Sequence, residues 1–239
     1  MTTVLIGLDD TDNADSPGTG RLARRLLAEL AARRCRPLGV TRHQFLVDSR
    51  IPYTSHNSGA CLAVESDDGP AAARDAFDLV ACWAAEGADP GVCLAAADRV
   101  PPAVADFGRQ AACRVVTMDD AFALAAAVGL ELRPLGGSGL GVIGALASVG
   151  QRAGGNDGRF IDLPGLRDLD GRVRCDVVAA LGIELRGAGT RQPRDDEPIE
   201  TGGWVRPRLV GGRAVLPLQW SEQCHAWVPV DTKRKGPRR

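Results

Sequence analysis

The sequence predicts an α+β or α/β fold built on a mixed sheet, with a β-hairpin near the C-terminus, and three observations carry that expectation. Val4-Leu5-Ile6-Gly7-Leu8 is an apolar run of the kind a strand buried on both faces needs, and a turn then leads to a helical stripe of Leu22, Leu26 and Leu30. Strand-like and helix-like segments go on alternating to about residue 130. Further on, two apolar segments over 204–210 and 213–218 flank Gly211-Gly212, which is a hairpin signal.

The first strand ends in Asp9-Asp10-Thr11-Asp12. An extended chain there would project Asp10 and Asp12 to one side and Asp9 to the other. Clustered carboxylates repel unless a cation compensates them, and oxygen-only ligands suit Mg²⁺ better than Zn²⁺. Turn residues 13–20 follow, then a helix over about 21–30. Gly18, Thr19 and Gly20 therefore stand at a helix start, where backbone N–H groups and the dipole attract an anion. Metal-holding acids beside a phosphate-holding helix start are what a Mg·nucleotide requires. There is no GxxxxGK[ST] motif and no Lys before Lys233, so the phosphate-neutralising cation is Arg, with Arg21 the nearest.

Residues 40–47 read as a strand rich in β-formers, and 48–53 as a loop fixed by Pro52. Polar residues Thr54-Ser55-His56-Asn57-Ser58 precede an apolar strand over 59–64. In the functional reading His43, His56 and Asn57 approach the Asp9 cluster, with His56 as an acid or base and Asn57 against phosphate. A helix over 70–86, with Ala73, Phe77, Val80 and Ala84 on one face, is followed by a strand over 91–97 and helices over 104–113 and from about 118. Asp119 and Asp120 fall in that last helix's first turn, as its dipole favours.

A segment over 130–135 leads into Gly139-x-Gly141-x-x-Gly144, with Asp162 roughly 20 residues further on. That pattern admits an NAD(P)-binding oxidoreductase. The proline before it and a following helix of only about eight residues, ended by Gly150, favour a glycine-lined helix start that binds ATP phosphates or packs on the Asp9 strand. Asp157, in the turn 154–158, is a further candidate metal ligand. A strand over 159–163, a short helix near 176–181, an exposed loop from 187 to 198 and the hairpin complete the chain. Trp220 and Trp227 are expected to pack the hairpin onto the body, and 231–239 reads as a basic disordered tail.

The chain has 239 residues, long enough for one large domain or two small ones. Its 29 basic and 30 acidic residues nearly balance, which argues against a dedicated nucleic-acid binder. Seven scattered cysteines make neither a disulfide framework nor a zinc site and read as reduced, with Cys61, Cys82, Cys93 and Cys113 as small buried hydrophobes. With no signal peptide and no membrane-spanning stretch, the expected location is cytoplasmic.

Three motifs in order, 7–12, 51–60 and 139–150, resemble the archaeal tRNA(Ile) agmatinylcytidine synthetases. The similarity covers roughly residues 1–165. It implies a kinase-like nucleotide-binding region over 1–65 plus 130–186 and a ferredoxin-like α+β region over 66–129, followed by a loop and β-hairpin extension over 187–230. Members of that family use ATP to attach agmatine to a wobble cytidine. The resemblance thus implies a Mg²⁺-dependent ATP-using phosphoryl- or nucleotidyl-transfer enzyme, of ligase or kinase-like type, whose acceptor is a small molecule or RNA. The chain departs from the pattern at Arg21, which stands where the family has a phosphorylated threonine, with Thr19 the nearest hydroxyl. The alternative is a non-catalytic nucleotide- or RNA-associated protein. The expected site comprises Asp9, Asp10, Asp12, Arg21 and His56 as catalytic residues. Gly18, Thr19, Gly20, Arg21, Asn57, Gly139, Gly141 and Gly144 would bind ATP, and Asp9, Asp10, Asp12 and Asp157 the metal.

Overall fold

A computed structural model describes residues 1–52 and 56–230. The tail expected over 231–239, Tyr53 of the expected loop, and Thr54 and Ser55 of the polar segment lie outside the described residues. In chain order the elements are β1 (Thr2–Asp9), α1 (Thr19–Ala32), β2 (Arg36–Gln44), β3 (Ser58–Ser66), α2 (Gly69–Trp83), β4 (Gly91–Ala96), α3 (Pro102–Cys113), α4 (Met118–Val128) and β5 (Glu131–Pro134). There follow α5 (Gly141–Gly154), β6 (Arg159–Asp162), β7 (Arg172–Arg174), α6 (Cys175–Ala179), β8 (Ile183–Gly187), β9 (Pro198–Glu200), β10 (Arg208–Val210), β11 (Arg213–Ser221) and β12 (Ala226–Pro229).

The strands form one twelve-stranded mixed sheet in the order β5-β4-β1-β3-β2-β6-β10-β11-β12-β9-β7, with β8 parallel to β11. β1 lies between β3 and β4, antiparallel to both, and its stretch over residues 4–8 is apolar because both of its faces are covered there. Val4, Ile6 and Leu8 face α1 and α2, together with Leu22, Leu26, Leu30, Phe77 and Val80. Leu5 faces the other way, into a core with Cys61, Cys93, Val104, Phe107 and Leu146 from β3, β4, α3 and α5. The period of two along β1 thus feeds two separate helix layers.

The βαββαβ order runs over residues 2–96, with β4-β1-β3-β2 adjacent. Residues 66–129, expected as a region of their own, add β4 to this same sheet and α3 and α4 to its second helix layer. The C-terminal part is more than a loop and hairpin. Residues 160–227 enclose a third core, in which Leu166, Val178, Ile183, Ile199, Leu216 and Trp227 are buried.

Several local expectations are met. Gly211 and Gly212 turn between β10 and β11 with φ of 55° and 77°, the mirror-image turn that two positive φ angles define. Trp227 is fully buried and meets Trp220 edge to face at 5.7 Å. Thr117 and Asp120 form a reciprocal capping box at the start of α4.

Others are corrected. The helix after the glycine motif has 14 residues, because Gly150 does not end it. A Cβ on Gly150 would strike the Val104 carbonyl of α3, so this glycine serves close helix–helix approach. Cys61 and Cys93 are buried, but Cys82 and Cys113 are exposed, lying on the outer faces of α2 and α3. The extended path expected through the acid cluster is broken at Asp10, which has φ of 53°. The chain therefore turns directly after β1, and the alternation of Asp9, Asp10 and Asp12 no longer follows strand geometry.

Candidate active site

A cavity of about 220 Å³ opens at the end of β1. Asp9, Asp10 and Asp12 line it, beside Gly18, Thr19 and Gly20 at the start of α1 and Leu140, Gly141 and Gly144 at the start of α5. Two helix N-termini therefore face the carboxylate turn, an arrangement in which an anion and a cation can be held side by side.

Glycines bring α5 this close. A Cβ on Gly7 would meet the Ala145 carbonyl, one on Gly91 the Gly141 backbone, and one on Gly144 the Asp9 carboxylate. Small residues on both partners let the helix lie directly on β1, β3 and β4, as a close helix–sheet approach requires. The GxGxxG segment is accordingly a helix-packing seam. It is not a dinucleotide fingerprint, because β5 before it is an edge strand antiparallel to β4, and no parallel βαβ unit includes it. Gly139 turns the chain with φ of 80° beside Pro134 and lies outside the cavity.

The turn after β1 is fixed by Thr19. Its Oγ1 accepts from the Thr11 N–H at 3.2 Å and from the Thr11 hydroxyl at 3.1 Å, and donates to Asp12 Oδ1 at 2.8 Å. Asn13 holds the outer edge, donating to the Glu86 carbonyl at 3.0 Å. One oxygen of Asp12 is thereby engaged, while Asp9 and Asp10 face the cavity. Burial pushes the Asp9 carboxyl up to about 7, where an Asp10 backbone N–H opposes the shift, the charges of Asp10 and Asp12 add to it, and Arg42 also opposes it. Burial and the charges of Asp89 and Asp12 push Asp10 up to about 6.

Among the described residues no group of three or more His, Cys, Asp or Glu side chains forms a ready metal cage. The expected four-carboxylate set of Asp9, Asp10, Asp12 and Asp157 is therefore not assembled as one cluster. Asp157 does not line the cavity; it stands exposed in the turn before β6.

Arg21 is exposed on α1 and is likewise absent from the cavity wall. Two arginines the sequence reading did not single out take that position, Arg42 from β2 and Arg114 from the end of α3. Arg42 donates from Nε and Nη2 to Ser58 Oγ at 3.0 and 2.7 Å, which fixes its fork across the β2–β3 pair. Its signal was an arginine alternating with buried residues on a strand, an ordinary pattern that only the tertiary neighbours distinguish.

His56 and Asn57 line the cavity as expected. Asn57 Nδ2 donates to the Leu46 carbonyl at 2.6 Å, so this amide also holds the loop in place. His43 does not approach Asp9. It is fully buried on the α5 face of β2, with Nε2 2.8 Å from Thr41 Oγ1, and burial together with the charge of Arg152 pushes it down to about 3. One part of the wall is apolar, formed by Phe45, Ile51, Pro52, Ala111, Val116 and Ile143, which suits the flat face of a base.

No family model matches the chain, and no curated protein matches it. Solved structures do match. A complex of TiaS with an isoleucine tRNA and ATP aligns with a TM-score of 0.56 and 26% identity, over 63% of this chain and 36% of that one. A tRNA fluorescent labelling enzyme aligns with a TM-score of 0.54 and 26% identity, over 62% of this chain and 36% of the other. A complex of TiaS with the same tRNA, AMPCPP and agmatine has a TM-score of 0.55 at 24% identity. The chain thus spans little more than a third of the length of these structures. Over the aligned residues its mixed α+β fold is similar to the catalytic fold of TiaS, the agmatidine synthetase that acts on this isoleucine tRNA.

Proposed function

We propose that this chain is a Mg²⁺-dependent, ATP-using enzyme that modifies an RNA acceptor, with the cavity at the end of β1 as its nucleotide site. The observation that carries this reading is the meeting of Asp9, Asp10 and Arg42 with the starts of α1 and α5 around one 220 Å³ cavity. The likeness to a structure of TiaS bound to ATP and tRNA supports the substrate classes.

In this proposal Asp9 and Asp10 hold Mg²⁺, whose chemistry is to neutralise charge on the phosphates. Arg42 and the N–H groups at the starts of α1 and α5 bind phosphate oxygens, and the Thr19–Asp12 latch keeps the turn in register. His56 and Asn57 border the acceptor. Gly139, Arg21 and Asp157 lie off the cavity wall and have no part in it.

Catalysis of this kind rests on position and charge, so losing a ligating carboxylate removes rate without removing the fold. Incubation with ATP, Mg²⁺ and RNA, with ADP, AMP and pyrophosphate separated, should show turnover that drops at least about 100-fold in Asp10→Asn. Wild-type turnover in that variant would refute the role given to Asp10. Nucleotide binding with no product in any assay would favour the second reading, a non-catalytic nucleotide- or RNA-associated protein.

A further inference from the structure

Away from the acid cluster, three guanidinium groups surround one indole. Arg167 lies 4.1 Å, Arg206 5.1 Å and Arg24 5.9 Å from the centre of the Trp204 ring. They come from different elements: Arg24 from α1, Arg167 from the turn after β6, and Arg206 from the segment before β10. Their charges are felt from one to the next. Arg167 senses Arg24 and Arg206, and Arg206 in turn senses Arg42, which lines the cavity. Arg42 on β2 is in register with Arg159 on β6, and Arg159 with Arg208 on β10, two residues after Arg206, so the cations follow the β2–β6–β10 path from the cavity to the C-terminal body.

Little on the protein balances them. Among the described residues none of Arg24, Arg42, Arg167 and Arg206 has a carboxylate at ion-pair distance; at longer range Asp9 faces Arg42, and Asp162 faces Arg167 and Arg24. Buried Nε atoms of both Arg167 and Arg206 have no hydrogen-bond partner. Half-buried like charges repel, and a chain with a formal charge of −1 had acidic residues with which to pair them. Such a track is stabilised by an external polyanion. Guanidinium forks match phosphate oxygens, and cation–π contact with Trp204 holds them in place.

We propose that Arg24, Arg167 and Arg206, gathered on Trp204, form the docking track for the phosphate backbone of a single-stranded RNA segment, and that Arg42 is where this track hands the reacting nucleotide to the cavity. The assignment rests on the acceptor being RNA, as proposed above, and adds the surface that binds it. RNA is favoured over an acidic protein because the cations are spaced along a path that ends at the proposed nucleotide site.

The test is fluorescence anisotropy of a labelled single-stranded RNA at several salt concentrations, beside a calorimetric ATP·Mg²⁺ titration of the same full-length proteins. Wild type should bind with an affinity that falls steeply with salt, each neutralised phosphate contributing about 0.7 to the logarithmic slope. Arg167→Gln/Arg206→Gln should bind RNA about tenfold more weakly and flatten the slope by about 1.4, with ATP affinity unchanged. Its melting temperature should be equal or higher, since two repelling charges have gone. Should the double variant unfold, Arg24→Gln on α1 gives the same readings with about half the slope change. RNA affinity and slope equal to wild type in both variants would overturn the proposal, as would a polyglutamate peptide that competes as well as RNA. Absence of ATP binding alongside track-dependent RNA binding would instead sink the nucleotide reading and leave the track standing.

Discussion

Asp9 sits against the start of α5, where a carboxylate loses most of its water and only the missing side chain of Gly144 leaves it room. Its carboxyl is pushed up to about 7, so between about pH 4 and pH 7 the folded chain keeps a proton that the unfolded chain releases at an ordinary 3.8. Stability from this group therefore falls as pH rises through that window. Asp9→Asn removes the penalty. The variant should melt at a higher temperature than wild type at pH 8, with the two converging near pH 4, while Mg²⁺-dependent turnover is lost. A lower melting temperature at pH 8 would contradict the picture of a destabilising carboxylate kept for binding. Mg²⁺ needs the ionised form, so metal binding should release protons and strengthen up to and beyond pH 7. At this scale the clustering of Asp9, Asp10 and Asp12 was legible, since carboxylates this close repel unless solvent or a cation compensates them. Arg21 was chosen by nearness in sequence, but a helix carries successive side chains around its axis, and position 21 points to solvent. Arg42 carries the charge from a neighbouring strand, which no local pattern announces.

Among the elements, α5 decides whether the site exists. Its glycines divide by what a methyl group would meet. At Gly141 the obstacles are the backbones of Asp89, Gly91 and Asp9, which cannot yield, whereas at Gly144 they are atoms of the Asp9 side chain, which can. Gly141→Ala should therefore destabilise the fold by about 1–3 kcal/mol in chemical denaturation. Gly144→Ala should stay folded but turn Asp9 aside and weaken ATP·Mg²⁺ binding. Equal stability losses from the two substitutions would show that the seam is uniform and the distinction false. The element itself was readable as a helix beginning near Gly141. Its length was not, since Gly150 reads locally as a stop and is instead the point where α3 crosses. The hairpin's turn was legible because two glycines in sequence leave little other than a tight turn, while its strands are Arg208–Val210 and Arg213–Ser221 and not 204–210 and 213–218.

On the scale of the whole molecule, three cores share one sheet, and the third was the least legible. Short strands such as β7 and β9, with three residues each, carry too little periodicity to be told from loop. Glu197 ties that C-terminal body together. It accepts from Trp227 Nε1 at 2.7 Å, from Arg191 at 2.7 Å and from the Arg194 N–H at 3.1 Å. Burial alone would raise its carboxyl, but these donors outweigh it and bring it to about 2, so its stabilisation is present above pH 4.5 and lost as pH falls through about 2. Glu197→Ala orphans the Trp227 donor and should cost about 3 kcal/mol in urea unfolding at pH 7; a cost below about 1 kcal/mol would mean that the network is not holding the body together.

The joining of the acid turn, the two helix starts and Arg42 into a single nucleotide site is tested most directly by calorimetric titration of ATP with and without Mg²⁺. Binding should require Mg²⁺, weaken about tenfold or more in Arg42→Ala, where a charge-assisted phosphate contact is lost, and stay unchanged in Arg21→Ala. Binding that is indifferent to Mg²⁺, or that depends on Arg21 and not on Arg42, would contradict it.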